Sequence, residues 1–135
     1  SKETIENIRK ARLKQIFPFK DTKIEIAMQK ELTRRKIKFT KHLPVIGQPD
    51  IFIEPNVCIF CDGDHWHANP KKYKDNDYII NNLLAKDIWT KDWLITKKLI
   101  DTNYFVLRFW EEDIKKDIKS IGDRIENLLG VDTNE

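Results

Sequence analysis

GQPDIFIEPNVCIFCDGDHWHAN, residues 47–69, is the stretch on which the fold turns. Two apolar runs, 49–53 and 57–62, flank Glu54-Pro55-Asn56, and proline and asparagine are turn formers. The spacing predicts two neighbouring strands joined by a tight turn. The second run, Val57-Cys-Ile-Phe-Cys61, is apolar at every position. A strand apolar on both faces belongs in a sheet covered on both sides. That strand runs directly into Asp62-Gly-Asp-His-Trp-His67, so the carboxylates Asp50, Glu54, Asp62 and Asp64 and the imidazoles of His65 and His67 are crowded into one short segment. Open α/β sheets hold their ligands at the carboxyl ends of strands, and the same stretch therefore nominates the site.

Upstream, residues 22–36 have Ile24, Ala27, Met28 and Leu32 at helical spacing, with Asp21 or Thr22 as N-cap and Glu25 as capping-box partner. Glu25 has two readings: a helix-start carboxylate favoured by the macrodipole, or an acid leaning towards the candidate site. Residues 3–15 are loosely periodic and rich in Lys and Arg, which predicts a basic arm over residues 1–20, closed by Phe17-Pro18-Phe19. Residues 37–41 read as the first strand. His42 reads as a surface residue.

Downstream, the polar stretch 70–86 predicts a loop with a short helix, and residues 87–100 a long helix packed on the sheet. Residues 104–110, YFVLRFW, predict a last buried strand interrupted by Arg108. Residues 111–129 predict one helix, with acids in its first turn and a stripe of Ile114, Ile118, Ile121, Ile125 and Leu128. The expected order is α, α, β, β, β, α, β, α.

A chain of 135 residues suits one domain with a substantial core, and 35% charged against 40% hydrophobic residues suits a globular one. No apolar run approaches the ~20 residues of a membrane span, and the first residues lack a signal-peptide core; a cytoplasmic location without membrane partners is expected. The net charge of +3 hides an asymmetry: the first 41 residues carry 13 Lys and Arg against 5 Asp and Glu, the remainder 12 against 17. Such a division suits a polyanion-binding surface beside a cation-binding centre, and equally a solvated helix face. Cys58 and Cys61 lie three apart in a strand and so point to opposite faces. They are expected to be buried reduced thiols.

Hard divalent cations such as Mg2+ need few carboxylates because they keep several waters. Asp50 and Asp62, on strands ~5 Å apart, can share such an ion. The ion can polarise a phosphoryl oxygen and acidify water while His65 or His67 takes the proton. Gly63 invites a bend, leaving open which way each side chain faces. Two other readings compete: a zinc site made by Asp64, His65 and His67, and a polar loop whose histidines are merely satisfied.

Four runs, Glu25-Ile-Ala, Gly47-Gln-Pro-Asp50-Ile, Ile59-Phe-Cys-Asp-Gly-Asp-His-Trp-His67 and Tyr104-Phe-Val-Leu-Arg-Phe-Trp-Glu111, in this order, resemble the very short patch repair endonucleases. They are similar also to the nuclease domains of homing endonucleases described by an EDxHD motif, within the wider PD-(D/E)XK superfamily. The resemblance spans roughly residues 22–118. It implies an α/β, restriction-endonuclease-like αβββαβ core with a mixed central sheet flanked by helices. It also implies a catalytic domain over residues 21–135 that cuts double-stranded DNA with Mg2+ or Mn2+. By position, Glu25 would hold water on the metal, Asp50 would ligate it directly and the Cys61 carbonyl would be a second ligand. Asp62 stands where those enzymes have a catalytic histidine, and His67 matches their second histidine.

Three departures stand out. No lysine lies two residues beyond Asp62, Asp64 occupies a position of the family's zinc-binding cysteines, and His65 replaces an aromatic wedge. The expected set is therefore Glu25, Asp50, Asp62, His65 and His67 for chemistry, and Asp50, Cys61, Asp62 and Asp64 for metal. Arg34, Arg35, Lys71, Lys72, Lys74 and Trp66 are expected to contact DNA. A second copy or a separate specificity module is the expected protein partner. A catalytically silent DNA-binding module on the same fold is the alternative.

Overall fold

The structure is a computed structural model that describes residues 21–80 and 82–133, with side chains as far as residue 130. The basic arm expected over residues 1–20 lies outside the described residues. The elements are α1 (Lys23–Arg34), β1 (Thr40–Lys41), β2 (Ile51–Ile53), β3 (Val57–Asp62), β4 (Tyr78–Ile80), β5 (Leu83–Leu84), α2 (Ala85–Asp101), β6 (Phe105–Trp110), α3 (Glu111–Lys116) and α4 (Ile118–Thr133).

The all-apolar run becomes the centre of the sheet. The order is β1-β2-β3-β6, with β1–β2 and β2–β3 antiparallel and β3–β6 parallel. The parallel pair needs a crossover, and α2 supplies it. Ile51 faces Ile59 and Ile53 faces Val57 across β2–β3, while Val57 to Asp62 pair with Phe105 to Trp110. This is the mixed α/β sheet flanked by helices that the sequence predicts.

Strand alternation divides the core between two faces. Val57, Ile59 and Cys61 pack with Ile24, Met28 and Leu32 of α1 and with Ile114, Ile121 and Ile125 of α3 and α4. Cys58 and Phe60 pack on the other face with Phe52 and Leu99, beside Ile95 and Val106. Every residue of β3 is buried. Both cysteines are buried free thiols, one on each face.

Four local expectations change. The first strand is only Thr40–Lys41. Between residues 70 and 86 the chain forms the antiparallel hairpin β4–β5, with a register shift, where a short helix was expected. Tyr78, Ile79 and Ile80 are an aromatic and β-branched run that favours strand. The final helix breaks at Asp117, at φ −154° and ψ 69°. Asp117 accepts a hydrogen bond from Ser120 N at 3.1 Å and so caps a new helix, α4, interrupting an otherwise continuous apolar stripe. Finally, the Arg35 side chain is largely covered: it binds Glu31 at 2.6 Å and Asp123 at 2.9 Å, and donates to the Lys119 carbonyl at 3.0 Å. It clamps α1 to α4 so closely that a Cβ on Gly122 would lie 2.5 Å from its Nε.

The candidate active site

The carboxyl end of β3, the start of α1, the 47–50 loop and the middle of α2 enclose a cleft of about 780 Å³. Each of these elements delivers an ionisable group. Thr22 caps α1 by accepting from Glu25 N at 3.3 Å, while Glu25 Oε2 accepts from Thr22 N at 3.4 Å. The capping box thus fixes the Glu25 carboxylate at the cleft floor, where it is 9% exposed and beside Asp50. Glu25 is thus a helix cap that also lines the cleft.

Asp50 arrives just before β2. Gly47, at φ +76°, permits this approach, since a Cβ there would collide with Ile95 of α2. Cys61 N donates to Asp50 Oδ2 at 2.7 Å, tying the carboxylate to β3. Burial and the neighbouring Glu25 carboxylate nonetheless push the Asp50 pKa up, to about 8, against the opposing pull of the Cys61 amide. A cation bound there would offset the charge that these two neighbours place together.

Asp62, at the end of β3, is 3% exposed and accepts from Arg108 Nη1 with both oxygens at 3.1 Å. Arg108 on β6 is held in turn by Thr96 Oγ1 at 2.8 Å and by the Asp92 carbonyl at 3.3 Å, and lies over the Phe60 ring at 4.1 Å. Burial raises the Asp62 pKa in spite of His67 and Arg108. The charge interrupting the last strand is therefore the partner of the acid at the end of its neighbour.

At Gly63 the chain leaves the sheet. His67 N donates to Gly63 O at 3.1 Å, which folds the imidazole back over the strand end. His67 Nδ1 lies 2.8 Å from Asp92 Oδ2, and Nε2 lies 3.8 Å from Asp62 Oδ1. A carboxylate can only accept, so Nδ1 carries the proton and Nε2 is left facing the cleft. Burial works against a charged His67, but the hydrogen bond to Asp92 and the charge of Asp62 outweigh it and raise the pKa. His65 also lines the cleft, its Nδ1 3.2 Å from Tyr73 Oη and its ring edge-on to the exposed Trp66.

The structure gathers Glu25, Asp50, Cys61, Asp62, His65, Trp66 and His67 around one cleft and leaves Asp64 outside it. Asp64 instead accepts from Lys72 Nζ at 2.9 Å, Asn69 Nδ2 at 3.0 Å and Glu112 N at 3.4 Å. With His65 on Tyr73, His67 on Asp92 and Asp64 turned away, these three residues do not converge as a zinc site requires. Arg34 is bonded to Glu31, and Lys72 to Asp64, while Lys71 and Lys74 stand on the exposed loop beyond the cleft.

Sequence reading missed Asp92, which carries no motif and is found only because it sits on the face of α2 that meets His67. It missed Asp21 as well. Asp21 accepts from Lys41 Nζ and lies against His42 Nε2, both at 2.9 Å, and its carboxyl is held well below the usual range, mainly by the His42 hydrogen bond and then by Lys41. Asp21, Glu25 and His42 offer ligand atoms all within 4.8 Å of one another, so His42 joins the cleft wall rather than the open surface. Oxygen donors predominate in the cleft, which fits a hard divalent cation at Glu25 and Asp50.

No family model matches the chain. Over 120 residues it is 25% identical to the type II nicking enzyme V.NmeDIP of Neisseria meningitidis serogroup C, covering 82% of this chain and 78% of that protein. Its fold is similar to the catalytic domain of the homing endonuclease I-Bth0305I. That comparison gives a TM-score of 0.56 and 18% identity, covering 78% of this chain and 92% of the other. The chain is thus similar in sequence to a nicking enzyme and in fold to the catalytic domain of a homing endonuclease. No helix among the described residues is long and apolar enough to cross a membrane.

Proposed function

We propose that this chain is a DNA endonuclease that hydrolyses a backbone phosphodiester with a divalent cation, Mg2+ or Mn2+, as a nicking, homing, restriction or patch-repair type of enzyme. The observation that carries the reading is the apposition, in one cleft, of the Glu25–Asp50 carboxylate pair and an imidazole backed by a second carboxylate. The similarity to a nicking enzyme supports the substrate class.

Glu25 and Asp50 would hold the cation. Bound there, it would polarise a phosphoryl oxygen and offset the negative charge that builds in the transition state. The remaining work belongs to this chain's own side chains. His67 Nε2 accepts a proton from the attacking water while Nδ1–H stays on Asp92, which fixes ring orientation and tautomer. Asp62, 3.8 Å from Nε2, stabilises the imidazolium that results. Arg108 opposes the burial that disfavours the Asp62 carboxylate and ties β6 to α2 around it. Trp66, 63% exposed at the rim, offers a flat apolar face to a base or sugar.

Incubation with supercoiled plasmid, with and without Mg2+ or Mn2+, tests this reading. Wild-type protein should give metal-dependent nicked or linear product, and Asp50→Ala should give none while keeping its thermal transition. Cutting by Asp50→Ala at the wild-type rate would overturn it.

A further inference from the structure

Six carboxylates line the cleft, those of Asp21, Glu25, Asp50, Asp62, Asp92 and Glu111, against four Lys or Arg side chains. With every acid ionised its formal charge is negative, the wrong sign for a phosphodiester, so basic groups free to meet a phosphate matter. Two of the four basic groups are already committed. Arg108 is bonded to Asp62 at 3.1 Å and Lys115 to Glu111 at 2.8 Å. The other two, Lys23 and Lys91, are exposed, and their side chains have no ion pair or hydrogen bond among the described residues.

These two lysines line the cleft from different helices. Lys23 opens α1, two residues before Glu25. Lys91 lies on α2 immediately before Asp92, the partner of His67. Helices α1 and α2 cover opposite faces of the sheet, so one free ammonium rises from each wall of the cleft. Three basic residues nearby are tied down: Arg34 of α1 and its C-cap Arg35 to Glu31, and beyond the helix Lys41 to Asp21.

Resting on the endonuclease reading, we propose that Lys23 and Lys91 are the phosphate-binding residues of the cleft, gripping the substrate backbone on the two sides of the bond to be cut. An ammonium is a point charge with three donors, suited to a phosphate whose exact angle varies with sequence. Each contact releases condensed counterions from the duplex and so contributes about one unit to the salt dependence of binding.

The test is fluorescence anisotropy of a labelled duplex of arbitrary sequence over a range of NaCl, with Ca2+ present. Wild type is compared with Lys23→Ala, Lys91→Ala, the corresponding Arg variants, and Lys97→Ala. Lys97 pairs with Asp101 at 3.2 Å on the same helix, outside the cleft, and so controls for the loss of one charge. Expected are weaker binding and a salt slope shallower by about one for each alanine variant, approximately additive in the double variant, with retention by arginine. Thermal transitions should be unchanged, since neither side chain has a partner to lose among the described residues. If both alanine variants behave as Lys97→Ala does while wild type binds the duplex, the assignment is overturned and the endonuclease reading stands. If wild type binds no duplex at all, both fall together.

Discussion

The chemistry of this site rests on how single side chains are held. In the proposed mechanism His67 depends on Asp92, whose Oδ2 accepts from Nδ1–H at 2.8 Å and leaves Nε2 to the cleft. The raised pKa of His67 sets a direction for pH dependence. A general base works only when deprotonated, so cutting should fall on the acid side of that pKa. Asp92→Asn removes one of the negative charges that raise it, and the acid limb of the rate profile should move to lower pH. The maximal rate should also fall, by roughly 10²-fold if the lost orientation is worth what a typical acid–base group contributes. A limb that stays in place would mean another group takes the proton. Arg108 shows how much a single residue can reveal: a charge inside YFVLRFW demanded a buried partner, and Asp62 is that partner.

At the scale of elements, the segment from Gly63 to Tyr73 carries His65, Trp66 and His67 without a helix or strand to hold it. A buried polar staple holds it instead. Asp64 gathers Asn69, Lys72 and the Glu112 amide, its own N–H donates to Glu111 Oε1 at 3.0 Å, and Asn69, only 1% exposed, turns the chain. Asp64→Ala strands these donors, at a cost of about 1–3 kcal/mol for each buried group left unsatisfied. A calorimetric scan should show the transition several degrees lower. Asp64→Asn, by contrast, should bind Mn2+ as wild type does, because Asp64 lies outside the cleft; a large loss of metal affinity would restore it as a ligand.

The whole molecule explains what the sequence could and could not reveal. The strand pair and its crossover were legible because β3 is apolar at every position and β6 is aromatic and β-branched, which leaves little alternative to burial on two faces. The acids and histidines following β3 were legible for the same reason, since a rigid strand delivers them to one point. Asp92 and Asp21 were not, because their roles come from the docking of α1 and α2 against that point and not from any local pattern. The directions of Asp64 and His67 were hidden by the turn at Gly63, and the break at Asp117 by a continuous stripe that a capping aspartate interrupts.

The proposed chemistry depends on Glu25 and Asp50 sharing a divalent cation, and EPR titration of Mn2+ into wild type and Asp50→Asn across a range of pH tests this directly. The folded protein holds the Asp50 proton up to about pH 8, and the metal must displace it. The apparent affinity of wild type should therefore climb as pH rises towards that value and then level off, and Asp50→Asn should lose both the binding and its pH dependence. Equal Mn2+ binding by the two proteins at every pH would contradict the account.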